Sequence, residues 1–211
     1  MTELQNCRRA LMQDVGRLVE PLGYKPILSQ QMFVRRFAEG KVALHLAFIR
    51  HPGDFDVVAN VAIRLDKLED ILNGARTYLS DKKKRETYSF GAELGNISRV
   101  GQVRWTVRAL NDTKEIAQEV VSYFRKVGLP FIASVTTIED AYLVLTESED
   151  LARLYLAPRS RRAESTVALA KLLGKSNVAQ IAKANMDWLE DVSDAGLPQY
   201  KQFLDCIGVA V

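Results

Sequence analysis

Residues 32–65, MFVRRFAEGKVALHLAFIRHPGDFDVVANVAIRL, alternate apolar positions with polar or small ones, and the alternation breaks at Glu39-Gly40 and at His51-Pro52-Gly53-Asp54. Period-2 patterning interrupted by turn residues predicts three antiparallel strands joined by short turns. In the second, Val42, Leu44, Leu46 and Phe48 share one face, with Ala43, His45, Ala47 and Ile49 on the other. In the third, Phe55, Val57, Ala59, Val61, Ile63 and Leu65 point one way, and Asp56, Val58, Asn60, Ala62 and Arg64 the other. The first set in each is expected to be buried and the second wet or partly covered.

Helical periodicity brackets this sheet. Leu4, Leu11, Val15, Leu18 and Val19 predict an amphipathic helix over 3–20, ended by Pro21 and Gly23. Tyr24 to Leu28 is extended, with Pro26 suited to a strand edge or start. Asp66 is placed to cap a helix over 67–79, and Ser80 to Arg85 is a charged loop. Tyr88, Phe90, Ala92 and Leu94, then Val103, Trp105 and Val107, alternate as two further strands, with a turn near Gly95-Asn96 or Gly101. A capping-box spacing from Asp112 to Glu115 opens a helix that Gly128 and Pro130 stop. Thr137 starts another over 138–145, a short one follows through Leu151 and Tyr155 to Pro158, and three more fall at 162–173, 177–193 (capped by Ser176) and 198–207. The apolar end, Ile207 to Val211, is expected to tuck against the fold.

The pattern gives an α+β fold: an antiparallel sheet of about five strands, an N-terminal helix packed on it, and a C-terminal all-helical region. The expected division is an α+β domain over 1–157 and a helical region over 158–211 packed on the first.

Four stretches resemble an uncharacterised bacterial family with a domain of unknown function: Leu22-Gly23-Tyr24-Lys25, Phe33-Val34-Arg35-Arg36, Trp105 in a late strand, and Gly128-Leu129-Pro130-Phe131. The resemblance covers roughly the first two-thirds of the chain. It implies a bacterial origin and an α+β fold, and supplies no catalytic residues.

Composition narrows the function classes. Hydrophobic residues are 47% and charged residues 26%, ordinary for a soluble globular chain with a sizeable core. A net charge of +3 from 29 basic and 26 acidic side chains is small for a dedicated nucleic-acid binder. Cys7 and Cys206 are the only cysteines, too few for a disulfide framework and without metal or redox spacing. The start lacks an apolar signal-peptide core, and no apolar run approaches the roughly 20 residues that span a bilayer. The expected setting is cytoplasmic, with no membrane partner.

Candidate chemistry is sparse. His45 and His51 are the only histidines, the first mid-strand and the second in a turn. HExxH, paired His-Cys spacings and phosphate-cradling glycine loops are missing, so no metal and no cofactor is expected. Carboxylates such as Glu147, Glu149 and Asp150 sit where they complement helix ends. The remaining constellation lies on the outer face of a meander, where Arg35, His45, Asn60, Arg64, Arg104, Thr106 and Arg108 would gather over the shallow floor of Ala43, Ala47 and Ala62. Arginine forks match carboxylate and phosphate geometry, although a solvated sheet face carries polar residues anyway. The basic clusters Lys82-Lys83-Lys84-Arg85 and Arg159-Arg161-Arg162 fall in expected loops without interleaved aromatics.

The leading expectation is a non-enzymatic protein-binding module, immunity- or antitoxin-like by analogy. The alternatives are an enzyme or binding protein for an anionic small molecule at Arg35, His45 and Arg64, and nucleic-acid backbone binding through the basic clusters.

Overall fold

The computed structural model describes residues 3–211. Helix α1 spans Glu3–Val19 and ends in a 3₁₀ turn at Glu20–Leu22. Gly23 then turns the chain with φ of 81°, a left-handed conformation that glycine adopts without steric cost. Strands β1 (Lys25–Ile27), β2 (Met32–Phe37), β3 (Gly40–Arg50) and β4 (Phe55–Leu65) follow, then helices α2 (Asp66–Gly74) and α3 (Asp81–Glu86). Strand β5 (Phe90–Glu93), helix α4 (Leu94–Ile97) and strand β6 (Trp105–Val107) complete the sheet-forming part. Helices α5 (Thr113–Tyr123), α6 (Leu129–Ala133), α7 (Ile138–Thr146), α8 (Glu149–Tyr155), α9 (Arg159–Leu172), α10 (Val178–Asp191) and α11 (Leu197–Cys206) finish the chain.

The six strands form one open antiparallel sheet in the order β1-β2-β3-β4-β5, with β6 also pairing β4. Pro26 lies in edge strand β1, where its missing N–H costs no ladder bond. Phe33 pairs with Leu44 and Phe55 with Val107. These registers hold the large apolar side chains on one face, and Phe33, Leu44, Leu46, Val57, Ile63 and Val107 are fully buried.

The chain forms two compact units, and they do not divide at 157/158. The first comprises the described residues up to 63 together with 92–134, the second 64–91 and 135–211. Long strand β4 runs from one into the other, so the helical region recruits a mid-chain segment as well as the C-terminal third. The apolar pattern places helices but carries no record of which helices share a core.

In the first unit α1 packs on α5 and on the sheet. A Cβ on Gly16 would stand 3.3 Å from the Phe33 ring, so the small residue lets α1 approach the strands. Asp14 Oδ2 accepts from Thr113 Oγ1 at 2.8 Å, tying α1 to α5. Asp112 is not the front of a capping box: its carboxylate reaches back to the N–H groups of Arg108 and Ala109 at 2.8 and 2.9 Å. Gly128 and Pro130 do not stop the helix. The chain passes through a wide π turn at Phe124–Gly128 into α6, with Pro130 in the first turn of α6.

In the second unit α9 is the central helix, packed against α2, α7, α10 and α11. Every residue from Arg162 to Ala170 is buried. Three local expectations change here. Asp66 is the first residue of α2, not its cap, and α2 ends at Gly74. The 80–85 segment is helix α3, whose Ser80 Oγ accepts from Lys83 N–H at 3.4 Å. Helix α9 begins at Arg159, so neither basic cluster lies in a loop. The apolar end does not tuck in fully, since Val211 is 51% exposed. Among the described residues no single helix is long and apolar enough to cross a membrane.

Candidate functional site

The predicted sheet-face residues do not assemble as one group. Arg35 pairs with Val42, which puts it on the face of Phe33 and Leu44, not on that of His45. There its guanidinium lies 5.2 Å from the centre of the Tyr24 ring, a cation–π contact, with its stem against Gly23. His45 pairs with Met32 and is half-buried, and burial lowers its pKa, favouring neutral imidazole. Asn60 is half-buried and donates to Val58 O at 3.5 Å. Arg108 is exposed.

Arg104 and Thr106 do converge, on Asp56. Thr106 Oγ1 donates to Asp56 Oδ1 at 2.8 Å, and Arg104 Nη1 lies 3.6 Å from Oδ2. His51, expected to be only a turn residue, brings Nε2 to 3.1 Å from the same Oδ2. The hydroxyl, then the imidazole and guanidinium, hold the Asp56 carboxyl below its ordinary range. This cluster locks the β3–β4 hairpin end, which His51 N–H to Asp54 O closes at 3.1 Å.

Arg64 is not on an open face. It is 6% exposed and belongs to the helical unit. Its Nε donates to Asp66 Oδ1 at 2.6 Å, and Nη1 donates to Lys84 O, Thr87 O and Thr87 Oγ1 at 2.7–3.0 Å. A buried guanidinium needs this many acceptors.

The main concentration of buried charge is a ring in the helical unit, which Arg64 also joins, with Nη1 4.0 Å from Glu69 Oε2. Glu69 of α2 is fully buried, and Arg76, just beyond α2, places Nη1 3.7 Å from Glu69 Oε2. Arg76 Nη2 reaches Glu164 Oε2 of α9 at 3.3 Å. Arg161 closes the ring, with Nη1 3.8 Å from Glu164 Oε2 and Nη2 3.9 Å from Glu69 Oε1. Asn73 Nδ2 donates to Glu69 Oε2 at 3.4 Å, while Glu69 Oε1 has no hydrogen-bond partner among the described residues. Burial raises the pKa of Glu164; Arg76 opposes that rise, and the Glu69 carboxylate adds to it.

The ring borders a cavity of about 360 Å³ lined by Arg76, Arg161, Glu164, Ser160, Gln199 and Gln202, with Tyr78 at its edge. Arg161 differs from its neighbours. Its side chain is 25% exposed and meets both carboxylates at ion-pair separation, outside hydrogen-bond distance. Its N–H fork can therefore serve an incoming carboxylate. Among the described residues no group of three or more His, Cys, Asp or Glu side chains is placed to hold a metal ion.

Sequence reasoning missed this ring because its halves are 88 residues apart. The available signals were the i,i+3 spacing of Arg161 and Glu164 and the polar run RSRRAEST opening a helix without an apolar stripe. No family model, no curated protein and no solved structure matches the chain.

Proposed function

We propose that the chain is a non-enzymatic recognition protein of the bacterial cytoplasm whose helical unit binds an acidic group of a partner protein at Arg161. The observation that carries this reading is the Arg161 guanidinium, which lines a cavity, is partly exposed, and sits beyond hydrogen-bond distance of its two carboxylates. A planar fork in that state suits bidentate capture of a carboxylate. Tyr78 is 79% exposed at the same cavity. Tyrosine and arginine are enriched among the residues that dominate protein–protein binding. The role fits an immunity- or antitoxin-like protein, which restrains another protein by binding it. Bacterial origin rests on the family resemblance, and the cytoplasmic setting is supported by two free cysteines, Cys7 buried and Cys206 exposed.

The test is capture from a bacterial lysate on the immobilised full chain, at low and high salt and with nuclease. A protein retained after nuclease treatment by the native chain, and lost from Arg161→Gln, supports the reading. Capture of nucleic acid alone, or the same proteins on both baits, overturns it.

A further inference from the structure

A second arginine group lies on a different face of α9. Arg159 and Arg162 are three residues apart, and so neighbours on the helix surface. With Arg153 of α8, they line a cavity of about 260 Å³ together with Glu149 and Ala157. That is below the roughly 300–1,000 Å³ of sites for drug-sized ligands, and suits a group of a few heavy atoms.

The charges here do not cancel. Three guanidiniums line the notch with one carboxylate, Glu149, and Asp194 acts more weakly on Arg162. Arg162 is 4% exposed and rigidly held: Nη1 donates to Leu156 O and Ala157 O at 2.9 and 2.6 Å, and Nη2 donates to Glu149 Oε1 at 2.5 Å. Trp188 lies against the pair, its ring centre 5.6 Å from the Arg159 guanidinium and 5.4 Å from that of Arg162. Burial lowers the basicity of Arg162; Glu149 opposes the shift, Arg159 and Arg153 reinforce it, and Asp194 opposes it more weakly. Like charges crowded around a fixed guanidinium, with Arg153 and Arg159 exposed, form a site that an incoming dianion would relieve.

We propose that the Arg153–Arg159–Arg162 notch binds a small phosphate group, either inorganic phosphate or the phosphate of a monoester. Arg153 and Arg159 clamp its oxygens, Arg162 supplies fixed positive charge beneath them, and Glu149 limits the affinity. The notch is separate from the Arg161 cavity, and its failure would leave the partner-binding reading untouched.

The experiment is calorimetric titration of the full-length chain with inorganic phosphate, with phosphoserine and with a single-stranded oligonucleotide, at matched ionic strength. Phosphate or phosphoserine is expected to bind the native chain, and Arg153→Gln or Arg159→Gln to weaken that binding about tenfold, the loss of one charge-assisted bond. Glu149→Gln should tighten it, a gain that a purely structural role for these residues would not produce. Tighter binding of phosphoserine than of inorganic phosphate identifies a monoester as the ligand, and equal binding identifies the free ion. Circular dichroism verifies that each variant is folded. Heats no larger than those of matched sodium chloride, unchanged affinity in both arginine variants, or binding of the oligonucleotide alone would overturn the proposal.

Discussion

Arg76 Nη2 lies 3.3 Å from Glu164 Oε2, joining the segment just after α2 to α9 across 88 residues. Both side chains are buried, and Arg76 also faces the fully buried Glu69. Removing one member of such a pair strands the others, at a cost of about 3–5 kcal/mol. Arg76→Met is therefore expected to destabilise the helical unit by about that much. Arg76→Met with Glu164→Leu should cost far less, because Glu69 keeps Arg161 at 3.9 Å. Urea unfolding followed by Trp188 fluorescence in a Trp105→Phe background reports the helical unit.

Glu164 also sets a pH dependence. Its folded pKa is raised above the ordinary 4.5, chiefly by burial. The folded state then holds the proton more tightly than the unfolded state, so the group's stabilisation is fully present below 4.5. That contribution is lost as pH rises through the raised value. The stability of the native chain minus that of Glu164→Gln should thus fall as pH is raised from 4.5 upward. A flat difference would contradict the raised value.

Two glycines should respond to alanine with opposite signs. At Gly128 a Cβ would stand 2.5 Å from Phe124 Cδ2 and 3.0 Å from Leu94 Cδ2, whereas at Gly74 it would meet nothing within 4 Å. Gly128→Ala should cost about 1–3 kcal/mol by overpacking. Gly74→Ala should stabilise by about 0.5 kcal/mol through the unfolded chain. Thermal unfolding of the two variants is a direct comparison.

At the β3–β4 hairpin, the Thr106 hydroxyl is the main cause of Asp56's lowered pKa. Thr106→Val should return that pKa toward 3.8, read by carbon NMR of the Asp56 carboxyl. A depressed carboxylate stabilises above its unfolded pKa, so the native chain should lose this contribution as pH falls below 3.8. The variant should lose less.

The strand pattern was legible because one face of each long strand is apolar without exception: Phe55, Val57, Ala59, Val61, Ile63 and Leu65 are all buried as their alternation requires. The phase of short β2 was not. In Met32-Phe33-Val34-Arg35 both faces carry apolar residues, and the charge on Arg35 suggests an outward position. Pairing with Val42 decides otherwise, and the guanidinium is accommodated over Tyr24. The candidate site was illegible for a different reason. Charges on a helix are ordinarily solvated, and only the packing of α9 on α2, α7, α10 and α11 buries Arg162, Glu164 and their neighbours. The basic run Arg159-Ser160-Arg161-Arg162 was visible as charge, but its division between two faces of α9 depends on partners far away in sequence.

The proposed function is recognition of an acidic partner through Arg161 and Tyr78. Its most direct test is capture from lysate by three baits: the native chain, Arg161→Gln and Tyr78→Ala, the last altering a side chain so exposed that folding should be unaffected. One protein is expected to be held by the native chain through nuclease treatment, weakened by raised salt, and lost from both variants. Equal capture by all three baits would contradict the proposed function.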